Sequence, residues 1–220
     1  MGELERHQRL DLDLPAEEAN PVLSFDSLFS DGGGCMLGVL ECRKPSGERV
    51  VLKAFSSLKG GIRTVEGWVP HLLGEEFFLN RVQPEQQRIK ALSSEMELQE
   101  ARSEVWIRLR EDRKRLSQQL MEEIHTTYRL VNFRGQTSTL KEAFHADHGM
   151  GGKVGQCCAP KLLVHAARSG LHPTGIAEFH WGGNEHAGDR QQGVFYPACR
   201  ENCQPILGFL LCGLESGSDE

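Results

Sequence analysis

The residues best equipped for chemistry are the seven cysteines, at positions 35, 42, 157, 158, 199, 203 and 212. Four of them form two close pairs, Cys157/Cys158 and Cys199/Cys203. The first residues, MGELERHQRLDLDLPAEE, are too polar and acidic for a secretion signal or transit peptide. The expected compartment is therefore the reducing cytoplasm, where paired thiols point to metal or thiol chemistry rather than to disulfides. The competing role is that of a small buried hydrophobe. Cys157 and Cys158 directly precede Ala159-Pro160, and proline is at home in the first turn of a helix. Unpaired N–H groups and the dipole at a helix start favour a thiolate. Cys199 and Cys203 are four apart, which puts both on one face of a helix expected over Cys199–Leu211. Two thiols do not complete a tetrahedral site, so further ligands must come from Cys157, Cys158, His180 or His186. The candidate metal set is Cys157, Cys158, His180, Cys199 and Cys203, with zinc as the ion. In Gly175–Trp181, strand alternation puts Glu178 and His180 on one face and Phe179 and Trp181 on the other. Glu178 is thus the candidate acid–base residue, against its alternative as part of a solvated edge-strand face. His145, Asp147 and His148 read as an exposed loop, and Gly149–Lys153 lacks the Gly-Lys-Ser/Thr ending of a phosphate loop.

Several elements must position these groups. Met36–Cys42 and Val50–Phe55 read as a hairpin turned by Pro45-Ser46-Gly47-Glu48. Residues 60–73 hold Gly60-Gly61, Gly67-Trp68 and Pro70 and are expected to be irregular. From Glu85 to Ile124 no Pro or Gly occurs, and apolar residues recur at mostly helical steps (Ile89, Leu92, Met96, Leu109, Leu116, Leu120, Ile124). This is a helix or helical hairpin, roughly 60 Å long if unbroken. Arg108, Arg110, Arg113, Lys114 and Arg115 crowd into two of its turns. They read either as a solvated coiled-coil face or as a strip for RNA phosphates. Thr126–Phe133 reads as a strand, Pro160–Ser169 as a helix ended by Gly170, and Gly175–Trp181 as a strand.

The chain has 220 residues, 25 basic against 31 acidic, for a net charge of -6, so no global field draws it to nucleic acid. Mean hydropathy is -0.41, and no stretch approaches the ~20 apolar residues of a membrane helix. The expected organisation is an acidic flexible tail (1–29), a β-hairpin part of the core (30–82), a long helical insertion (83–125), an α/β part of the core carrying the cysteine clusters (126–214) and an acidic tail (215–220). The fold class is α+β with one long helical, coiled-coil-like insertion.

Two resemblances follow from these motifs. CCAPKLLVHAARSGLHPTGIAEFHWGG and VFYPACRENCQPILGFLLCGL, with MLGVLECRKPSGERVVLKAFSS, GGIRTVEGWVPHL and TTYRLVNFRGQTSTLKEAF upstream, are similar to the N-terminal region of a subset of RluA-type RNA pseudouridine synthases. The match runs over about residues 30–214 and implies a role in RNA modification, with RNA and a synthase catalytic domain, in cis or in trans, as partners. The His-Arg-Leu-Asp and Thr-Ser-Gly motifs of that catalytic domain are absent from these residues, and Arg9-Leu10-Asp11 has neither the following motif nor the surrounding strand. Synthase activity is therefore not carried over. More distantly, the order hairpin, Cys157-Cys158-Ala159-Pro160 helix, strand through Glu178 and Pro197-Ala198-Cys199-x-x-x-Cys203 resembles the zinc-dependent deaminases. That likeness implies an α/β/α sheet with a hairpin, and Cys158, Cys199 and Cys203 as zinc ligands. The glutamate those enzymes carry two residues after the first ligand is missing: Ala159 follows Cys157 by two, and Pro160 follows Cys158. Glu178 is the candidate substitute as proton shuttle.

Three functions are thereby expected, in this order. The first is an accessory module for RNA modification, with a structural zinc and an RNA-binding strip. The second is a zinc-dependent nucleobase deaminase-like hydrolase. The third is a coiled-coil scaffold, homodimeric through the long helix.

Overall fold

The computed structural model describes residues 1–30, 33–58, 61–183 and 190–214. His186 and the acidic stretch 215–220, both singled out above, lie outside the described residues. In chain order the elements are α1 (Gly2–His7), α2 (Phe25–Leu28), β1 (Gly34–Arg43), β2 (Arg49–Phe55), α3 (Glu75–Phe77), α4 (Gln83–Glu97), α5 (Glu104–Thr127), β3 (Leu130–Val131), β4 (Thr137–Ser138), α6 (Leu140–Ala143), α7 (Cys158–Arg168), β5 (His172–Gly182) and α8 (Gln204–Leu210). The mixture is α+β, as expected.

The sheet that carries the site has the order β2-β1-β5, with both pairings antiparallel. Lys44–Glu48 connects β1 to β2, and Gly47 takes φ +85 there, a conformation a side chain would resist. Along β1 the side chains alternate. Cys35 and Leu37 enter one apolar cluster, while Leu40 and Cys42 enter the other. Glycine is required at Gly38, because α7 crosses it closely: a Cβ there would lie 2.5 Å from Cys158 Cβ. That contact sets the height of α7 above the sheet.

The first core lies under α7 and α8 and includes Leu162, Val164, Ile206 and Leu210. The second covers the other face of the sheet and corrects the expectation of a loose N-terminal tail. Leu4, Leu10, Leu23, Phe25 and Leu28 are buried against Phe55, Trp68, Phe179 and Trp181. Trp68 Nε1 donates to Leu10 O at 2.8 Å, and Asp11 Oδ2 accepts from Asn20 N at 2.7 Å. These apolar residues follow neither a helical nor a strand period, because they cover a flat sheet face from an irregular segment. A reading based on periodicity and acid content passes over them.

The long helical stretch is broken into α4 and α5. Ser103 caps α5, its Oγ accepting from Trp106 N, and Arg102 takes φ 70 just before it. The two helices pack alongside each other, and Arg81, in the helical turn just before α4, is paired with Glu123 of α5 at 2.7 Å. The strand expected over 126–133 is mostly absent. α5 continues through Thr127, where the Thr126 and Thr127 hydroxyls donate to carbonyls one turn earlier, and only Leu130–Val131 pairs with Thr137–Ser138. The helix expected from Cys199 begins only at Gln204.

Candidate metal centre

Three segments converge on the cysteines. Gly155, at φ +79, turns the chain into α7, and Cys157 is the residue that caps that helix. Cys199 and Cys203 are brought together by a turn rather than by a helix face. The N–H groups of Cys203 and Gln204 both donate to Cys199 O at 3.1 Å. Cys199 Sγ lies 3.3 Å from Cys203 Sγ and 3.8 Å from Cys157 Sγ. All three sulfurs lie within 4.8 Å of one another. Tetrahedral Zn–S bonds of ~2.3 Å put sulfurs about 3.8 Å apart, so this spacing and donor set fit a thiolate-binding metal ion with one position left open. Among the described residues this is the one group of three or more metal-type side chains.

The electrostatics of the thiols follow from their contact. Contact with the Cys157 and Cys203 thiols draws the pKa of Cys199 down, against the opposing effect of burial. Cys157 is pushed up to about 12, chiefly by the same contact with Cys199. Cys203 is raised by both neighbours and by burial. The three thiols therefore titrate as one coupled group, and a bound cation would take the place of their protons.

Two residues of the expected metal set stand elsewhere. Cys158 is fully buried between α7 and the sheet, where its Sγ donates to Met36 O at 3.2 Å and burial raises its pKa strongly. The thiol of this pair that could serve as a ligand is Cys157, because the cap residue faces Cys199 while the next one turns into the core. His180 is also fully buried; its Nε2 is 2.9 Å from Gly183 O, and its ring fills the space over Gly34. It makes no part of the sulfur group.

Glu178 does share the centre. It lies on β5, nine-tenths buried, with Oε1 accepting from Ala159 N at 2.9 Å. Burial raises its pKa, the α7 N–H groups and Arg190 oppose that, and the charge of Cys199 adds to it. Glu178 and the three thiols line one cavity of about 230 Å³, with Met36, Lys153, Asn202 and Tyr196 among the other wall residues.

Lys161 was not singled out in the sequence, although a lone cation inside the apolar run CAPKLLVHAA was its signal. It is fully buried, and its Nζ donates to Phe55 O and, at 3.2 Å, to Ser56 O. It thereby ties α7 to the end of β2. Burial lowers its pKa to about 8.

The five basic residues of α5 are not brought into one strip. At ~100° per residue, Arg108 and Arg115 share one side, Arg110 and Lys114 lie on the far side, and Arg113 between. Arg115 is paired with Asp112 at 2.8 Å, Arg110 stands over the Trp106 ring, and Arg113 is partly buried. No helix of the described residues is long and apolar enough to cross a membrane. No protein-family profile, curated protein or solved structure matches the chain.

Proposed function

We propose that this protein is a zinc-dependent hydrolase of the deaminase type, acting on an exocyclic amine of a nucleobase-like ring. The observation that carries the reading is the shared cavity of Glu178 and the Cys157, Cys199 and Cys203 thiols. With Cys157 as the first ligand, the glutamate of the deaminase pattern would stand at position 159, where this chain has alanine. The carboxylate of Glu178 is hydrogen-bonded to the N–H of that same Ala159. A strand residue thus brings a carboxylate to the turn of α7 from which the helix residue is missing. Zinc, when bound by three thiolates, supplies Lewis-acid activation of water at its open position. Glu178 would take up a proton at its carboxylate and deliver it to the leaving amine. Burial raises its pKa, the direction that helps a carboxyl group carry a proton as well as accept one. Its bond to Ala159 fixes the carboxylate's orientation.

The accessory-module reading, in which the zinc is structural and RNA is the partner, draws support from exposed Arg108, Arg110 and Lys114. It gives the buried carboxylate of Glu178 only a structural part, as acceptor of the Ala159 N–H. The scaffold reading is less favoured, because Leu120 and Ile124 of the α5 stripe are buried within the chain's own core. The deciding experiment is ammonia release by the zinc-loaded protein from free nucleosides, nucleotides and single-stranded RNA. Release abolished by Glu178→Gln supports the hydrolase. No release from any of these substrates counts against it and leaves the structural-zinc module.

A further inference from the structure

A second cavity, of about 370 Å³, adjoins the metal cavity and has Ser57 and Gln156 in common with it. One wall is the irregular segment after β2; the other is the pair α4 and α5, which contributes Ile89, Leu120 and Ile124. The space is largely apolar, yet Arg63 stands in it. The guanidinium lies 4.1 Å over the Phe78 ring and donates from Nη2 to Leu73 O at 3.0 Å. Its Nε is buried without a hydrogen-bond partner. Glu75, whose field reaches Arg63, accepts a hydrogen bond from Thr64, and no ion pair joins the two. A half-buried guanidinium with an unused N–H and, among the described residues, no carboxylate in ion-pair contact is costly unless an anion completes it. Glu75 acts on it only at a distance, and two further neighbours, Tyr128 and His71, carry no negative charge. Tyr128 is held protonated, its pKa pushed up to about 12 by burial. His71 is held neutral, its Nε2 3.5 Å from Lys161 Nζ.

We infer that this cavity binds the oxyanion end of a small ligand, a phosphate monoester or a carboxylate, against Arg63. The ring of that ligand packs on the apolar wall and its other end reaches the metal cavity past Gln156. Arg63 suits this role because its planar fork matches both oxyanions. The second half of the inference, which gives the proposed hydrolase a free anionic small molecule as its substrate class, rests on the hydrolase reading. The oxyanion site itself does not.

The test uses probes with no amine to lose, so that its outcome is separate from ammonia release. Isothermal titration of the purified full chain with phenyl phosphate, benzoate and phenol compares a common ring with and without an oxyanion. The expected result is that at least one of the two anions binds about tenfold tighter than phenol, and that Arg63→Met removes this preference. The anion that binds more tightly identifies the headgroup. Arg63→Lys, which keeps the charge but loses the fork, is expected to weaken the anion about threefold or more, and it decides the matter if Arg63→Met does not fold. Equal affinity for the anions in wild type and the Arg63 variants overturns the inference. So does the absence of binding to folded wild type, or Arg63-dependent binding seen only with a single-stranded RNA oligonucleotide.

Discussion

Glu178 Oε1 accepts the backbone N–H of Ala159 across the gap between β5 and α7, at 2.9 Å. The bond satisfies an orphan donor in the first turn of α7, a place where negative charge is favoured by the helix dipole. It also fixes a buried carboxylate beside Cys157, the residue that caps the same helix. One interaction therefore sets the start of the helix, the thiol it presents and the acid opposite. The proposed chemistry depends on that coincidence.

The two adjacent cysteines should separate cleanly. Cys157→Ser, Cys199→Ser and Cys203→Ser each remove one of three converging sulfurs, and each is expected to lower bound zinc well below about one ion per chain. Cys158→Ala should keep the ion, because its thiol faces Met36 O between α7 and the sheet. Elemental analysis of the reduced proteins measures this directly. Retention of zinc in Cys157→Ser with loss in Cys158→Ala would reverse the assignment.

Substitution of Glu178 should split activity from stability. Glu178→Gln keeps an oxygen to accept from Ala159 N and should fold and hold metal normally. If the hydrolase reading is right, its turnover falls by about 10²–10⁴. Glu178→Ala leaves that N–H buried and unpaired, and should in addition lose ~1–3 kcal/mol of stability. Urea midpoints beside ammonia release would show it. Equal turnover of Glu178→Gln and wild type would remove Glu178 from the chemistry.

Some of this arrangement could be read from residue order. The hairpin and the faces of β5 follow from alternation, which puts Glu178 on the face opposite Phe179 and Trp181; that α7 covers that face is not legible from alternation. Convergence of the cysteine pairs was also foreseeable, since both flank the strand in sequence. Which thiol of Cys157/Cys158 turns outward was not, because the phase at a helix cap depends on how closely α7 approaches Gly38. Nor was the Cys199 turn distinguishable from a helix, because an i to i+4 spacing serves both. Arg63 and His71 gave no signal, since they meet through an irregular segment that has no period.

His71 makes the fold acid-sensitive in a defined window. Burial, with the charges of Lys161 and Arg63, lowers its pKa from 6.5 to about 3. Between those values the unfolded chain holds a proton that the folded chain refuses. Stability is therefore lost as pH falls through 6.5 and levels off near 3. His71→Gln, which retains an acceptor for Lys161, should flatten the fall. Chemical unfolding at pH 7.5 and 5.0, on chelator-treated protein so that metal release does not contribute, compares the two. An identical fall in both proteins would mean that His71 is not the group responsible.

The N-terminal segment should behave as core. Leu10 is fully buried, its carbonyl holds Trp68 Nε1, and it belongs to the cluster on the face of the sheet opposite α7. Leu10→Ala should cost ~2–5 kcal/mol, as a buried leucine truncation does. Leu98→Ala, at a position 83% exposed between α4 and α5, should stay within about 0.5 kcal/mol of wild type. The comparison isolates burial, since both changes remove the same atoms. Zinc content of the folded Leu10→Ala protein should be unchanged, because the three sulfurs are held by α7 and the 199–203 turn on the other side of the sheet. If Leu10→Ala proves as mild as Leu98→Ala, residues 1–29 do not hold the sheet. The second core would then have to be carried by Phe55, Trp68, Phe179 and Trp181 alone.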